Sequence, residues 1–279
     1  MKLKRSSRLV DLTRYLLQHP HQLISLSFFS ERYGAAKSSI SEDLLIIKEN
    51  FEGQGVGWLV TVPGAAGGVR YIPKVSMEEA QEVVDELKSL LSSSERVLPG
   101  GYLYMTDIIG NPAFINKVGR MFASMFADRS VDVVMTVATK GIPLAYAVAS
   151  YLNVPVVIVR SNSRVTEGST MSINYVSGST KRIQTMALAK RSLSSGSNVL
   201  IIDDFMKAGG TIKGMMDLLQ EFDASMAGIG VLVESEEEVQ ERLVEDYISV
   251  ARLSHVDARQ KQIQVEAGNY LDRMESEKE

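Results

Sequence analysis

Residues Val199 to Met215 read VLIIDDFMKAGGTIKGM, and their order decides how the rest of the chain is parsed. Four apolar residues, Val199 to Ile202, lead into the adjacent carboxylates Asp203 and Asp204. A short loop holding Gly209, Gly210 and Thr211 follows, and then apolar residues return at helical spacing. A buried strand, a turn and a helix account for that order. In an open α/β sheet, ligands bind beyond the carboxyl ends of the strands, where loops and helix N-termini converge. Two neighbouring carboxylates there can each accept a hydrogen bond from one of two vicinal hydroxyls, as in a ribose, and either can hold a Mg²⁺ water. Glycine amides and a helix opened by Thr211 favour a phosphate. Acids for a diol and amides for a phosphate together describe a cradle for a phosphorylated ribose.

Working outward, strand and helix patterns alternate on both sides. VDVVMTVAT (131–139), VPVVIVR (154–160), NVLIID (198–203) and AGIGVLVE (227–234) read as strands; GIPLAYAVASYL (141–152) and TIKGMMDLLQEF (211–222) read as helices. Near-continuous apolar strands interleaved with helices predict a mainly parallel sheet covered on both faces. Ser161 to Ser197 is rich in Ser, Thr, Gly and Asn, with possible β pieces at MSINYVS and RIQTMAL. Such a long polar excursion inside an α/β domain reads as a functional loop. Beyond it the chain has no internal repeat, and its compositional bias is confined to the Glu-rich run from Glu234 to Glu241 and the charged tail.

The N-terminal part has another pattern. Leu9, Val10, Leu12, Leu16 and Leu17 recur at helical spacing after the candidate caps Ser6 and Ser7, and His19 with Pro20 ends that helix. A second short helix fits LSFFSERYG, closed by Gly34. In AKSSISEDLLIIKENFE, Ile40, Leu44, Ile47 and Phe51 share a face, and Gly53 stops the helix. GVGWLVTVPGAAGGVRYIPK then gives two β-rich runs, Trp58 to Val62 and Val69 to Ile72. Three helices followed by a hairpin is the order of a winged helix-turn-helix, and an amphipathic helix after Val75 leads into the α/β part. The reading is therefore an α/β chain with two domains, a winged helix over 1–74 and the parallel-sheet domain over 75–279.

Composition fits this division. The net charge of −4 argues against nucleic acid for the chain as a whole, yet residues 1–74 carry a net of +4 and the remainder −8. A basic head on an acidic body suggests different partners, with phosphate backbone the commonest partner of a small basic domain. No cysteine is present, which excludes a disulfide framework, a thiolate zinc site and a cysteine nucleophile, and fits a cytoplasmic location. No run of about 18 apolar residues predicts a membrane span.

Taken together, Val199 to Thr211 resembles the thirteen-residue signature of type I phosphoribosyltransferases, which bind 5-phosphoribosyl 1-pyrophosphate (PRPP). Every position agrees but one: Lys207 stands where those enzymes prefer a small or acidic residue. The resemblance implies that Asp203, Asp204, Phe205, Met206, Lys207, Ala208, Gly209, Gly210 and Thr211 hold the sugar phosphate. It implies that Ala138, Thr139, Lys140 and Gly141, in TVATKGIP, form the tight loop that grips pyrophosphate, often through an unusual peptide bond. Arg160 is placed at the same ligand edge. Ser161 to Ser179 matches the loop that closes over PRPP, and Tyr102, just after Gly100 and Gly101, can stack with a base or fill its place. Plainer roles stay open: Lys140 as a surface charge capping a strand, Arg160 as a solvated charge, Tyr102 as core.

With a basic winged helix in front, nearly the whole chain resembles the purine operon repressor family of Gram-positive bacteria. That resemblance implies a homodimeric, DNA-binding transcriptional repressor of purine biosynthesis and transport genes, whose operator binding PRPP weakens. It implies no enzymatic activity, no required cofactor or metal site, and Mg²⁺ only as a companion of PRPP; purine nucleotides with two phosphate groups could compete in the same cradle. In the head, Lys37, Ser38, Ser39 and Ser41 open the helix expected in the major groove, with capping as the alternative role of the serines. Arg5, Arg8, Arg70 and Lys74 lie on the arm and wing, where backbone phosphate is expected. The competing reading is an active purine phosphoribosyltransferase with an added N-terminal domain.

Overall fold

The computed structural model describes residues 3–64, 66–98, 102–161, 168–176, 182–236, 242–257 and 262–276. They fall into two compact units, one over residues 1–76 and one beginning at Met77.

The head contains α1 (Arg5–Gln18), α2 (Leu26–Tyr33), α3 (Lys37–Gly53), β1 (Gly57–Val62) and β2 (Gly68–Pro73). The expected caps Ser6 and Ser7 lie inside the first turn of α1, which begins after Lys4 with no side-chain cap. Leu12 and Leu16 are fully buried, whereas Val10 is 71% exposed and Leu17 44%, so the inward face is narrower than the apolar spacing implied. Ser25 caps α2 by accepting the Phe28 N–H, and Gly34 ends it in the left-handed conformation at φ 57 that glycine adopts freely. Ile40, Leu44, Ile47 and Phe51 of α3 pack on Phe29, Leu59, Val69 and Tyr71. The strands pair antiparallel, and Ile24 bridges to Val69, fastening the loop before α2 to the hairpin.

The body opens with α4 (Met77–Leu91), a 3-10 turn at Ser94–Arg96, β3 (Val97–Leu98), β4 (Tyr102–Leu103), α5 (Thr106–Ile109) and α6 (Pro112–Met125). Then come β5 (Val133–Val137), α7 (Gly141–Leu152), β6 (Val156–Val159), β7 (Thr170–Val176), β8 (Ile183–Ala189), β9 (Asn198–Met206) and α8 (Gly210–Gln220). β10 (Ser225–Ser235), β11 (Ile248–Asp257), β12 (Gln262–Ala267) and α9 (Tyr270–Ser276) complete it. A six-stranded sheet runs in the order β12-β11-β10-β9-β5-β6. Its neighbours are parallel except β12, which returns antiparallel on β11. At its centre Val133–Thr136 of β5 and Val199–Asp203 of β9 are buried without a break, as the unbroken apolar run Val199 to Ile202 requires. At Gly230 a β-carbon would sit 2.8 Å from ring carbons of Phe122, so glycine lets the helix layer close on the sheet. β7 and β8 form a separate antiparallel pair from the polar excursion, taking in Met171–Val176 of MSINYVS and Ile183–Leu188 of RIQTMAL. The tail after Ala267 also reaches the core: Tyr270 is fully buried and its hydroxyl donates to the Met121 carbonyl.

Strand order places the site. From β5 the chain moves by α7 to β6 on one side; from β9 it moves by α8 to β10 on the other. The connections therefore diverge between β5 and β9, leaving a crevice at their carboxyl ends.

Candidate functional site

Both loops predicted at the ligand edge meet in that crevice. β9 carries Asp203 and Asp204 toward its end, and Asp203 is only 3% exposed. Its Oδ1 accepts the Asp204 N–H at 3.0 Å. Burial first, and then the charge of Asp204, pushes the Asp203 carboxyl well above the usual carboxylate range. Burial raises Asp204 as well, offset by the bond with Asp203 and by the positive charge of Lys140. Gly209 then adopts φ 81, and α8 starts at Gly210 with no side-chain cap on its first amides. Those amides and the helix dipole face a concavity of about 90 Å³ bordered by Asp203, Lys207, Gly209 and Thr211.

The second loop approaches from β5. The Ala138–Thr139 peptide is cis, matching the unusual bond expected there. Gly141 begins α7 directly over the crevice floor, where a β-carbon would collide with Thr136 Oγ1 and lie 3.2 Å from Asp203 Oδ1. Only glycine lets this helix N-terminus come so near the acid pair. Arg160 directly follows β6 and is fixed by its backbone, which exchanges two hydrogen bonds with Ala187 of β8. Tyr102 starts β4, but its side chain lies outside the described residues. Residues 162–167 and 177–179 of the expected closing segment also lie outside the described residues.

Tyr175 is a neighbour that the motifs did not announce. On β7, it donates its hydroxyl to Gln184 Oε1 at 2.7 Å, beside the Thr211 hydroxyl and within range of the Asp203 charge. Its ring packs on α8 at Gly214, where a β-carbon would stand 2.9 Å from Tyr175 Cγ. Alternation within MSINYVS could have pointed Tyr175 inward, but nothing in that stretch specifies α8 as its partner. Among the described residues no cluster of three or more His, Cys, Asp or Glu side chains could hold a metal ion.

In the head, Lys37, Ser38 and Ser41 are exposed on the first turns of α3, and Ser39 is half-buried. The cap position belongs to Ala36, so none of these serines caps the helix. Two expected phosphate contacts are otherwise engaged. Arg8 is buried, 8% exposed, with its Nε donating to the fully buried Asp43, so it ties α1 to α3 and is withdrawn from the surface. Arg5 is half-exposed but shares its charge with Asp43 and Glu42. A helical period that puts Arg8 on the same stripe as Leu12 was the available signal. Lys74 stands 4.6 Å above the exposed Trp58 ring, and Arg70 lies on the hairpin opposite Val60.

Comparison with known proteins agrees with this geometry. Residues 4–73 match the model of the bacterial purine repressor N-terminal domain, and residues 105–265 that of the phosphoribosyl transferase domain. The chain is 68% identical to the purine biosynthesis transcriptional repressor of Bacillus subtilis (strain 168), over 97% of this chain and 95% of that one. It is 49% identical to a protein of Lactococcus lactis subsp. lactis (strain IL1403) named as a purine biosynthesis transcriptional activator, over 97% of this chain and 99% of that one. In fold, the adenine phosphoribosyltransferase structure from Giardia lamblia aligns with a TM-score of 0.52 at 22% identity, covering 65% of this chain and all of that one. A phosphoribosyltransferase fold thus carries a repressor-type head, and the chain belongs to the family of bacterial purine biosynthesis transcriptional regulators.

Proposed function

We propose that this protein is a DNA-binding repressor of purine biosynthesis and transport genes, and that PRPP bound in the body loosens its hold on operator DNA. The observation that carries the effector is the crevice between β5 and β9, where buried Asp203 and half-buried Asp204 lie beside two helix N-termini and a left-handed glycine. The carboxylates suit the ribose diol, the amides of the 209–211 turn suit the 5-phosphate, and the 138–141 loop suits pyrophosphate. Lys140 and Lys207 add cations for a ligand rich in negative charge. Mg²⁺ accompanies the pyrophosphate without a dedicated protein cage, since this ion takes phosphate oxygens and keeps several waters. Purine nucleotides with two phosphate groups compete for the same cradle.

The repressive direction rests on the higher identity to the Bacillus subtilis repressor; the Lactococcus lactis relative named an activator shows that direction is not set by the fold. The protein acts in the cytoplasm as a homodimer on duplex DNA, with Lys37, Ser38 and Ser41 at the major groove and Arg70 at the backbone. If PRPP lowers operator affinity, DNA lowers PRPP affinity equally, by about 1–3 kcal/mol. An operator gel shift with and without PRPP is the test, paired with transcription from the same promoter; an unchanged shift would sink the effector reading. Incubation with PRPP, Mg²⁺ and each purine base should yield no nucleotide, whereas turnover at enzymatic rates would establish a transferase.

A further inference from the structure

The first residue of the acidic run, Glu234 near the end of β10, is buried. Glu234 is 4% exposed, and its register partners are Met206 on β9 and Arg252 on β11. Its carboxylate accepts bonds from Arg242 Nη1 at 2.8 Å, the Tyr247 hydroxyl and Ser249 Oγ at 2.7 Å. Arg242 also donates to the Ser235 carbonyl and lies over the Tyr247 ring. Asn269 closes the cluster from the C-terminal side, donating to the Tyr247 carbonyl and accepting the Ser249 N–H. Burial and the Glu234 charge push the Tyr247 hydroxyl up, so it remains a donor. A buried carboxylate with three donors is a satisfied and rigid anchor.

What this anchor holds is the chain just after Arg242. The Leu243 N–H donates to the Ala208 carbonyl at 2.9 Å, inside the phosphate loop. Buried Val244 backs the left-handed glycine, its Cγ2 3.0 Å from where a Gly209 β-carbon would stand. In a trans peptide the carbonyl and the following N–H point opposite ways. Fixing the Ala208 carbonyl toward Leu243 therefore turns the Gly209 N–H away from it and sets the peptide plane from which the cradle's amides begin.

We propose that Glu234, Arg242 and Leu243 are positioning residues of the effector site, a clamp outside the signature that orients the 208–209 peptide for phosphate. The proposal rests on the ligand reading given above. Leu243 offers a clean test because the residue is 54% exposed and its bond to Ala208 comes from the main-chain N–H, which a change of side chain to Ala keeps. Leu243→Pro removes that N–H and Leu243→Ala keeps it. The full-length proteins are titrated with PRPP and, in parallel, ribose 5-phosphate by calorimetry, with unfolding and effector-free operator binding measured on each. Leu243→Pro should weaken both ligands about tenfold, equivalent to ~1.4 kcal/mol. Leu243→Ala should bind as wild type does, and both should hold the operator normally. If Leu243→Pro does not fold, Glu234→Gln, which keeps the shape and removes the charge facing Arg242, carries the same expectation. Affinities within about twofold of wild type, or equal losses in the Pro and Ala variants, would overturn the clamp. Wild type that binds ribose 5-phosphate but not PRPP overturns the PRPP reading while leaving the clamp testable; wild type that binds neither overturns both.

Discussion

Replacing Asp203 by Asn should stabilise the protein while deafening it to its effector. Asp203 is 3% exposed, sits next to a second carboxylate and has no cation among the causes that set its ionisation. An amide removes the buried charge at nearly the same volume, and the unpartnered hydroxyl of buried Thr136 borders the same Gly141 position as Asp203 Oδ1. Relief of an uncompensated buried polar or charged group is worth about 1–3 kcal/mol. For a body of this size that raises Tm by roughly 2–12 °C. The sign follows from the raised folded pKa. Ionisation of Asp203 opposes folding, so its penalty is absent below the unfolded carboxylate value of about 3.9 and grows as pH rises from there toward the raised folded value. Scanning calorimetry of both proteins from pH 4 to pH 8 should therefore show a Tm gap that opens with pH, while the Asn variant loses PRPP binding by more than about tenfold. An equal or lower Tm for the variant at pH 7, or a gap that does not change with pH, would refute the reasoning.

Other perturbations report on other parts of the molecule. Gly214→Ala pushes a β-carbon against Tyr175 and Met186, and displacement of the β7–β8 pair should cost about 1–3 kcal/mol of stability, read by urea unfolding, together with effector affinity. In the head, Asp11 accepts bonds from Arg14, Arg32 and the Tyr33 hydroxyl, and Arg14 foremost holds its carboxyl down at about 2. That stability is present above the unfolded carboxylate value and lost as pH falls toward 2, so Asp11→Asn should be destabilising by about 0.5–1 kcal/mol at pH 7 and neutral in strong acid. Lys37→Ala or Arg70→Ala should weaken operator binding and lower the slope of log affinity against log salt by about one unit, with PRPP affinity unchanged. Arg8→Ala should instead lower the melting temperature, because fully buried Asp43 loses its buried partner and keeps only the more exposed Arg5 as its cation.

Much of this was legible in the residues because strand and helix periods differ and the ligand edge repeats a simple chemistry. Val199 to Ile202 could be nothing but buried strand, and Asp203, Gly209 and Gly141 stand where their spacing placed them. Legibility failed where a residue's role depends on a distant partner. Arg8 reads as a basic arm residue until Asp43, 35 positions later, is packed against it. β11 and β12 lie beyond the acidic run, where apolar and polar residues mix and no continuous apolar run marks a buried strand. Glu234 reads both as the end of the strand AGIGVLVE and as the first of the Glu-rich run, and only strand register shows it to be buried beside β9. Local pattern carries elements; long-range pairing carries walls and clamps.

The backing of Gly209 by Val244 bears on how portable the opening stretch is. A left-handed glycine followed by a helix can be written into many α/β loops, yet here its outer side is closed by a residue 35 positions downstream, held there through the Leu243 N–H. Grafting Val199 to Thr211 onto a foreign sheet would transfer the acids and the turn without their support, and the transplanted turn would be free to rotate its amides. A scaffold chosen to receive the motif therefore needs a further strand after its helix and a returning segment that reaches Ala208, so the transferable unit runs from β9 through Tyr247 rather than ending at Thr211.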